Sequence, residues 1–324
     1  MASGRADRRP GEFELIAELF APLSKGAPGA FGLTDDAAVL APPSGHELVL
    51  KTDAIVEGVH FFRTDPPGAI AQKALRVNLS DLAAKGAVPA GYLMALFLPD
   101  WPDMAWLRAF VDGLAADQAG FGLSLMGGDT SATPGPLAIS ISAFGHVPAG
   151  AMIRRAGAKP GDLVFVSGTI GDAGGGLAVL KENRSIPELI ARYRVPEPRL
   201  ALGPALRGIA SASLDVSDGL MADLGHVADV SKVRIEVDAA RIPLSNALRK
   251  LWGAEAAARA VVAGDDYEIA FTAPASRRSD VASVAARSGV AVTEIGRVAA
   301  GEGVVLLDAS GREIVLARSG YAHF

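Results

Sequence analysis

The chain has 324 residues, half of them hydrophobic, with 37 glycines, no cysteine and a formal net charge of −5. The length predicts two domains, each able to bury a core of its own, and the composition excludes a disordered or fibrous chain. The mild acidity argues against a nucleic-acid binder, and the lack of cysteine excludes disulfides, zinc thiolates and cysteine nucleophiles while fitting a reducing cytoplasm.

The first eleven residues, MASGRADRRPG, are polar and basic without an apolar run. They predict a disordered start with no secretory signal. Glu12 to Phe20 predicts a helix with Phe13, Ile16, Leu19 and Phe20 on one face. A turn at Gly32-Leu33-Thr34-Asp35-Asp36 precedes an expected short strand, Ala37 to Leu40. Pro42-Pro43-Ser44-Gly45 then turns the chain into a strand beginning at Leu48. Ala69–Ala84 and Met104–Ala119 predict helices; Gly91–Leu98, Leu123–Met126 and Leu137–Phe144 predict strands. Pro134 to Ile153 is long and uncharged but broken by proline and glycine, so no transmembrane helix is expected.

Val147 to Asp162 is punctuated like a linker and marks the expected domain boundary. Beyond it come the strand Leu163–Ser167, a glycine-rich turn from Gly168 to Gly176, and a helix through Leu180. Helices around Ile186–Tyr193 and Leu200–Ile209 follow, then a strand-turn-helix over Ala212–Val230 and the strand Val233–Val237. Helices around Leu244–Trp252 and Ala254–Val262, the strand Tyr267–Thr272, a helix near Ser279–Ser288 and closing strands complete a mixed α/β order.

Acidic turns recur along this order. Lys51-Thr52-Asp53 closes an apolar strand a few residues before His60, and adjacent carboxylates at Asp35-Asp36 can hold a hard cation. Asp81 lies in an unusually polar helical stretch with Asn78 and Ser80; pairing with Lys85 one turn on would also account for it. Asp129 ends Met126-Gly127-Gly128, where paired glycines let backbone approach a phosphate. Asp215-Val216-Ser217-Asp218-Gly219 stands at a helix start, with Ser217 or Asp218 the alternative as a simple cap. The turn at Gly168 lacks the P-loop Gly-Lys-Ser/Thr and the dinucleotide glycine pattern. Arg154 and Arg155 beside it could clamp phosphate. No Ser-His-Asp order or His-Glu-x-x-His motif supports a hydrolase.

In order, GEFELIAELF, GLTDDAAVL, KTDAIVEGVHF, VNLSDLAAKGAVP, MGGDTS, RAGAKPGDLVFVSGTIGD, LDVSDGLMADLGHV, GDDYEIAF and GYAHF resemble the thiamine-monophosphate kinase family. That family belongs to the aminoimidazole-ribonucleotide-synthetase-like (PurM-like) superfamily. The resemblance runs from Gly11 to Phe324. It implies an α/β (α+β) two-domain PurM-like fold: an ATP- and Mg²⁺-binding, dimerising mixed-sheet domain over 12–148 and a C-terminal α/β domain over 149–324. It also implies ATP-dependent phosphorylation of thiamine monophosphate by a cytoplasmic homodimer using several Mg²⁺ ions, with no nucleic-acid or membrane partner.

By the same resemblance, Asp36, Thr52, Asp53, Asp81, Asp129, Asp215 and Asp218 are metal ligands. Gly128, Asp129, Arg155 and Ser217 contact nucleotide; His60, Asp265 and Tyr321 contact substrate; Asp53, Asp129 and Arg155 form the catalytic group. Two residues depart from the family pattern: Lys51 stands where Ser or Thr is frequent, and Asp265 where Glu is usual. Another ATP-using synthetase of the superfamily, or a cation-binding module without catalysis, is the alternative.

Overall fold

The computed structural model describes residues 11–318, 320 and 321, so the expected tail lies almost wholly outside the described residues, as do His323 and Phe324 of the closing motif. Two compact units emerge. The first comprises the described residues up to Leu79 together with Pro89–His146; the second comprises Ser80–Val88 and the described residues from Val147.

The first unit opens with α1 (Glu12–Leu15), which widens into a π-turn over Ile16–Phe20 and tightens to a 3-10 turn over Ala21–Ser24. The change of winding moves the buried line to Leu15, Leu19, Phe20 and Leu23 and leaves Phe13 83% exposed, correcting the expected face. Residues 37–40 do not form the expected strand; Val39 donates one backbone bond to Gly29 at 2.9 Å and stays exposed.

Then come β1 (His46–Val56), α2 (Pro67–Ala84), β2 (Val88–Leu98), α3 (Met104–Phe121), β3 (Leu125–Ala132) and β4 (Ala138–Pro148). The sheet order is β1-β4-β2-β3, with β2 and β3 parallel. Alternation in β4 buries Ile139, Ile141, Ala143 and Val147 and leaves the intervening residues half-buried.

Helix α3 starts at Asp103, whose side chain accepts from the Trp106 amide at 2.8 Å, and stops at left-handed Gly122. It is locked to α2 by buried Asp117, which accepts from Arg76 Nε (2.8 Å), Arg76 Nη2 (2.7 Å) and Gln72 Nε2 (2.9 Å). The neighbouring Gln118 donates to the hydroxyl of fully buried Tyr92 on β2. Elsewhere β1 and β2 keep Leu48, Leu50, Leu93 and Phe97 between 36% and 67% exposed.

The second unit contains β5 (Asp162–Ser167), α4 (Asp172–Lys181), α5 (Pro187–Arg194), β6 (Ala212–Asp215), α6 (Leu220–Ser231), β7 (Arg234–Asp238), α7 (Asn246–Trp252) and α8 (Ala256–Ala260). It continues with β8 (Ile269–Pro274), α9 (Arg278–Ser288), β9 (Val292–Ala299) and β10 (Gly303–Leu307). Its sheet runs β10-β7-β9-β5-β8-β6, with β10 and β7 parallel and the other pairs antiparallel. Successive residues of β5 serve opposite apolar layers. Val164 and Val166 join Leu214, Leu224, Ile235 and Ile295, whereas Phe165 stacks on Phe271 at 5.2 Å beside Leu202 and Val281. The helix expected over 200–209 is a series of turns around a 3-10 segment, Gly203–Leu206, because Pro204 supplies no amide to continue an α-helix. Among the described residues no helix is long and apolar enough to cross a membrane.

A side chain at Gly113 of α3 would strike the backbone of Gly68, whose Cα lies 2.7 Å from the added Cβ, so at this point the two helices meet backbone to backbone. Gly113→Leu should cost about 1–3 kcal/mol or more by overpacking, read as a lower urea midpoint, whereas exposed Gly120→Ala should be neutral or stabilising.

Candidate functional site

In the second unit, β6 delivers Asp215, 3% exposed, to its C-terminal end, and the chain turns through Ser217, Asp218 and Gly219 into α6. Neither Ser217 nor Asp218 caps this helix with its side chain. Instead Asp223, one turn inside α6, accepts the amides of Ser217 (3.0 Å), Asp218 (3.0 Å) and Gly219 (3.1 Å). Burial pushes the Asp223 carboxyl up to about 7, the Asp218 charge adds to the push, and the three amides pull the other way. Asp218, Asp223 and His226 place a ligand atom each within 4.8 Å of one another.

A second strand of the site lies against this loop. Asp265 donates its amide to the Ser217 carbonyl and Tyr267 to that of Val216, both at 2.8 Å, and Val216 donates to Glu268 at 2.8 Å. The pairing holds Asp265 at φ 70° and Tyr267 at φ 52°, left-handed conformations that cost a bulky side chain most. The expected strand at 267 therefore starts only at Ile269. The Tyr267 hydroxyl donates to Asp265 Oδ1 at 3.2 Å, Tyr321 donates its amide to the Asp218 carbonyl at 2.9 Å, and Ser80 Oγ donates to the Tyr267 carbonyl at 3.3 Å. Asp215, Ser217, Asp218, Asp265, Tyr321 and the residue before Asp81 thus belong to one hydrogen-bonded assembly. Lys85 donates from Nζ to the Ser213 carbonyl at 2.6 Å. Exposed Arg155 lies on a loop anchored by bonds from Ser213 N to Arg154 O (2.9 Å) and Gly157 N to Ser231 Oγ (3.2 Å).

Beneath the assembly, Glu268 has no exposed surface and receives Arg192 Nη2 (2.7 Å), Arg199 Nε (2.7 Å), Arg199 Nη2 (2.5 Å) and Ser167 Oγ (2.6 Å). Asp266 faces the other way, accepting from the Gly171 (2.6 Å) and Ala173 (3.3 Å) amides at the start of α4. Burial lifts the Asp266 carboxyl well above the usual range despite those bonds. The glycine-rich turn is thereby closed by the chain's own carboxylate.

In the first unit, Thr52 and Asp53 leave β1 on opposite faces, so the carboxylate and hydroxyl are not brought to one point. Thr52 Oγ1 donates to the Ile141 carbonyl at 3.2 Å and accepts from Ser142 at 3.1 Å; Asp53 pairs with Lys51 at 3.1 Å. His60 sits in the following turn, its Nδ1 accepting from the Val56 amide at 3.0 Å, which leaves the proton of the neutral ring on Nε2. Asp129 lies inside β3 and not at a strand end, accepting from Ser131 Oγ at 2.8 Å. The adjacent Gly128 is required by the sheet, since a Cβ there would collide with the Met94 carbonyl on β2. Strands β1 and β3 are the two edges, so Asp53 and Asp129 stand three strand spacings apart across the sheet, roughly 14 Å before any offset along the strands. Asp36 is exposed in its turn, its amide bonded to Asp35 Oδ1 at 2.8 Å.

Two family models match the chain: AIR synthase related protein, N-terminal domain, over residues 34–147, and its C-terminal domain over 159–308. A thiamine-monophosphate kinase of Caulobacter vibrioides is 43% identical over 99% of this chain and 93% of its own length. The chain belongs to the thiamine-monophosphate kinase family. A crystal structure of the enzyme from Stenotrophomonas maltophilia K279a superposes with a TM-score of 0.83 at 40% identity, covering 91% of this chain and 97% of that one. A structure of AaThiL complexed with AMPPCP and TMP gives a TM-score of 0.78 at 34% identity, covering 98% and 99%.

Within this thiamine-monophosphate kinase fold, the departure at Asp265 suits its backbone, because a short polar side chain tolerates the left-handed region better than glutamate. Sequence reasoning missed Asp223, Glu268, Arg192 and Arg199. An acid in the first turn of α6 was the signal for Asp223; the arginines, on and after α5, had none. Glu268→Ala should cost about 3–5 kcal/mol by removing the buried partner of two mostly buried guanidinium groups, which keep only the exposed carboxylate of Glu197 as ion-pair partner, read as a large drop in melting temperature.

Proposed function

We propose that this chain transfers the γ-phosphoryl group of ATP to thiamine monophosphate, giving thiamine diphosphate and ADP. The observation that carries the reading is the near-full-length likeness to AaThiL complexed with AMPPCP and TMP, an ATP analogue beside a phosphate monoester. A terminal oxygen of the substrate phosphate is already ionised near neutral pH. It can form the new P–O bond while ADP leaves, so no dedicated base is needed.

The donor set fits magnesium: Asp36, Asp53, Asp81, Asp129, Asp215 and Asp218 offer carboxylates and Thr52 a hydroxyl oxygen, the chemistry a hard cation takes. When bound, Mg²⁺ neutralises phosphate oxygens and draws charge from the leaving ADP. The chain's own part is positioning. Gly128 and Ser217 contact nucleotide, Arg155 meets phosphate with a guanidinium, and His60, Asp265 and Tyr321 contact thiamine monophosphate, His60 donating from Nε2. The first unit is read as the ATP-binding and dimerising domain, the second as the C-terminal α/β domain, in a cytoplasmic homodimer.

Purified protein with ATP, Mg²⁺ and thiamine monophosphate should yield equal ADP and thiamine diphosphate; ADP without thiamine diphosphate, or metal binding without turnover, rejects the reading. Asp265→Ala should raise the KM for thiamine monophosphate about tenfold and that for ATP much less; equal changes would remove Asp265 from the substrate contacts.

Dimerisation rests on the apolar side chains left on β1 and β2, with Leu50 67% exposed, an unusual concentration for a monomer. Light scattering should give twice the chain mass, and Leu50→Glu should shift it toward the monomer; a monomeric wild type at micromolar concentration rejects the dimer.

A further inference from the structure

None of the proposed metal or substrate contacts explains why the loop from Asp215 to Gly219 holds its shape. It carries two carboxyl groups, at Asp215 and Asp218, three residues apart. The amides of Asp265, Tyr267 and Tyr321 hold its carbonyls, and Asp223 holds its own amides. Its Oδ2 gathers the successive amides of Ser217, Asp218 and Gly219 at 3.0, 3.0 and 3.1 Å, and its own amide donates to the Gly219 carbonyl at 2.9 Å. Asp223 is 2% exposed, so the contact is sheltered from water.

Ordinary helix capping does not describe this arrangement. A cap serves the amides of the first helical turn, here those following Leu220, whereas all three amides on Asp223 lie before the helix. The carboxylate therefore folds the preceding loop back onto the helix. The bonded amides belong to the residues whose side chains the loop presents, and the same loop passes its carbonyls to Asp265 and Tyr321, from Ser217 and Asp218 respectively.

We infer that Asp223 is a positioning residue for cation and nucleotide binding by Asp215, Ser217 and Asp218, an inference that rests on the function proposed above. Asp223 touches neither nucleotide nor substrate in this role; it sets the loop through three hydrogen bonds accepted from backbone amides. Residues that orient ligands from behind typically change metal affinity or activity by about 10–100-fold when removed.

The test compares wild type with Asp223→Ala and Asp223→Asn, whose amide oxygen can accept the same bonds without the charge. In the metal-free protein, hydrogen exchange at the 217–219 amides should quicken about tenfold or more in the alanine variant and less in the asparagine variant. The Mg²⁺ concentration that half-saturates binding of the ATP analogue AMPPCP, read by calorimetry, should rise by about 10–100-fold in Asp223→Ala, with Asp223→Asn between it and wild type. The KM for thiamine monophosphate should move by less than about threefold. Should the alanine variant not fold, the asparagine variant carries the reading, with a several-fold rise expected. A folded variant with faster exchange but unchanged Mg²⁺ dependence would make Asp223 a structural residue only and overturn the inference. Unchanged exchange overturns it as well. A wild type that binds Mg²⁺ and AMPPCP but leaves thiamine monophosphate untouched defeats the proposed substrate, while the shift in Mg²⁺ requirement still decides the role of Asp223. A wild type that binds no nucleotide overturns both.

Discussion

A carboxylate with no exposed surface needs its charge answered on the spot, and Glu268 is answered by two arginines and a serine. Arg199 approaches it side-on through two nitrogens, and Arg192 adds a third contact while also donating to the Asp266 carbonyl at 3.1 Å. The desolvation of such a group is worth several kcal/mol, so the pairing stabilises only because geometry and hydrogen bonds are complete. Its structural yield is convergence. Ser167 ends β5, Arg192 belongs to α5, Arg199 lies on the turns beyond, and Glu268 itself opens into β8. All are tied at one point directly under the loop that carries Asp265.

That anchoring makes the unusual backbone above it tenable. Asp265 and Tyr267 hold left-handed conformations that would relax in a free loop. Here the residues on either side are committed: Asp266 to the start of α4, and Glu268 to the arginines. The strained segment then hands its order on, amide by amide, to the loop after β6 and so to Tyr321. Order in this unit is a relay of backbone bonds founded on a buried ion cluster, with Asp218, Asp265 and Tyr321 as its outer members.

Much of this was legible in the chain itself. Apolar periodicity located α2, α3, β2 and β4 to within a few residues, because each presents a long, regular pattern to one side. The acidic motifs marked the loops that the second unit brings together around Asp215, Asp218 and Asp265. Three kinds of feature were not legible. The π-turn after α1 changes the face of the helix without any change in composition, so Phe13 was misplaced. Pro204 broke a pattern that apolar spacing alone would extend. Strand alternation separated Thr52 from Asp53, although adjacency in the chain suggests a pair. The Glu268 cluster joins residues 69 and 76 positions apart, and no local pattern records such a meeting.

The loop before α6 also bears on how the second unit can recognise phosphate. Three converging amides usually form a ready receptacle for an anionic ligand. Here that receptacle is already filled by a carboxylate belonging to the chain. A free phosphate arriving at this loop finds no backbone donors waiting among those amides, and it meets the charge of Asp218. On the proposed function, phosphate recognition at this point would be indirect, a nucleotide being accepted only with accompanying positive charge. On that reading the loop would admit a nucleotide through its counter-ions, a selection rule opposite to that of a glycine-rich phosphate loop.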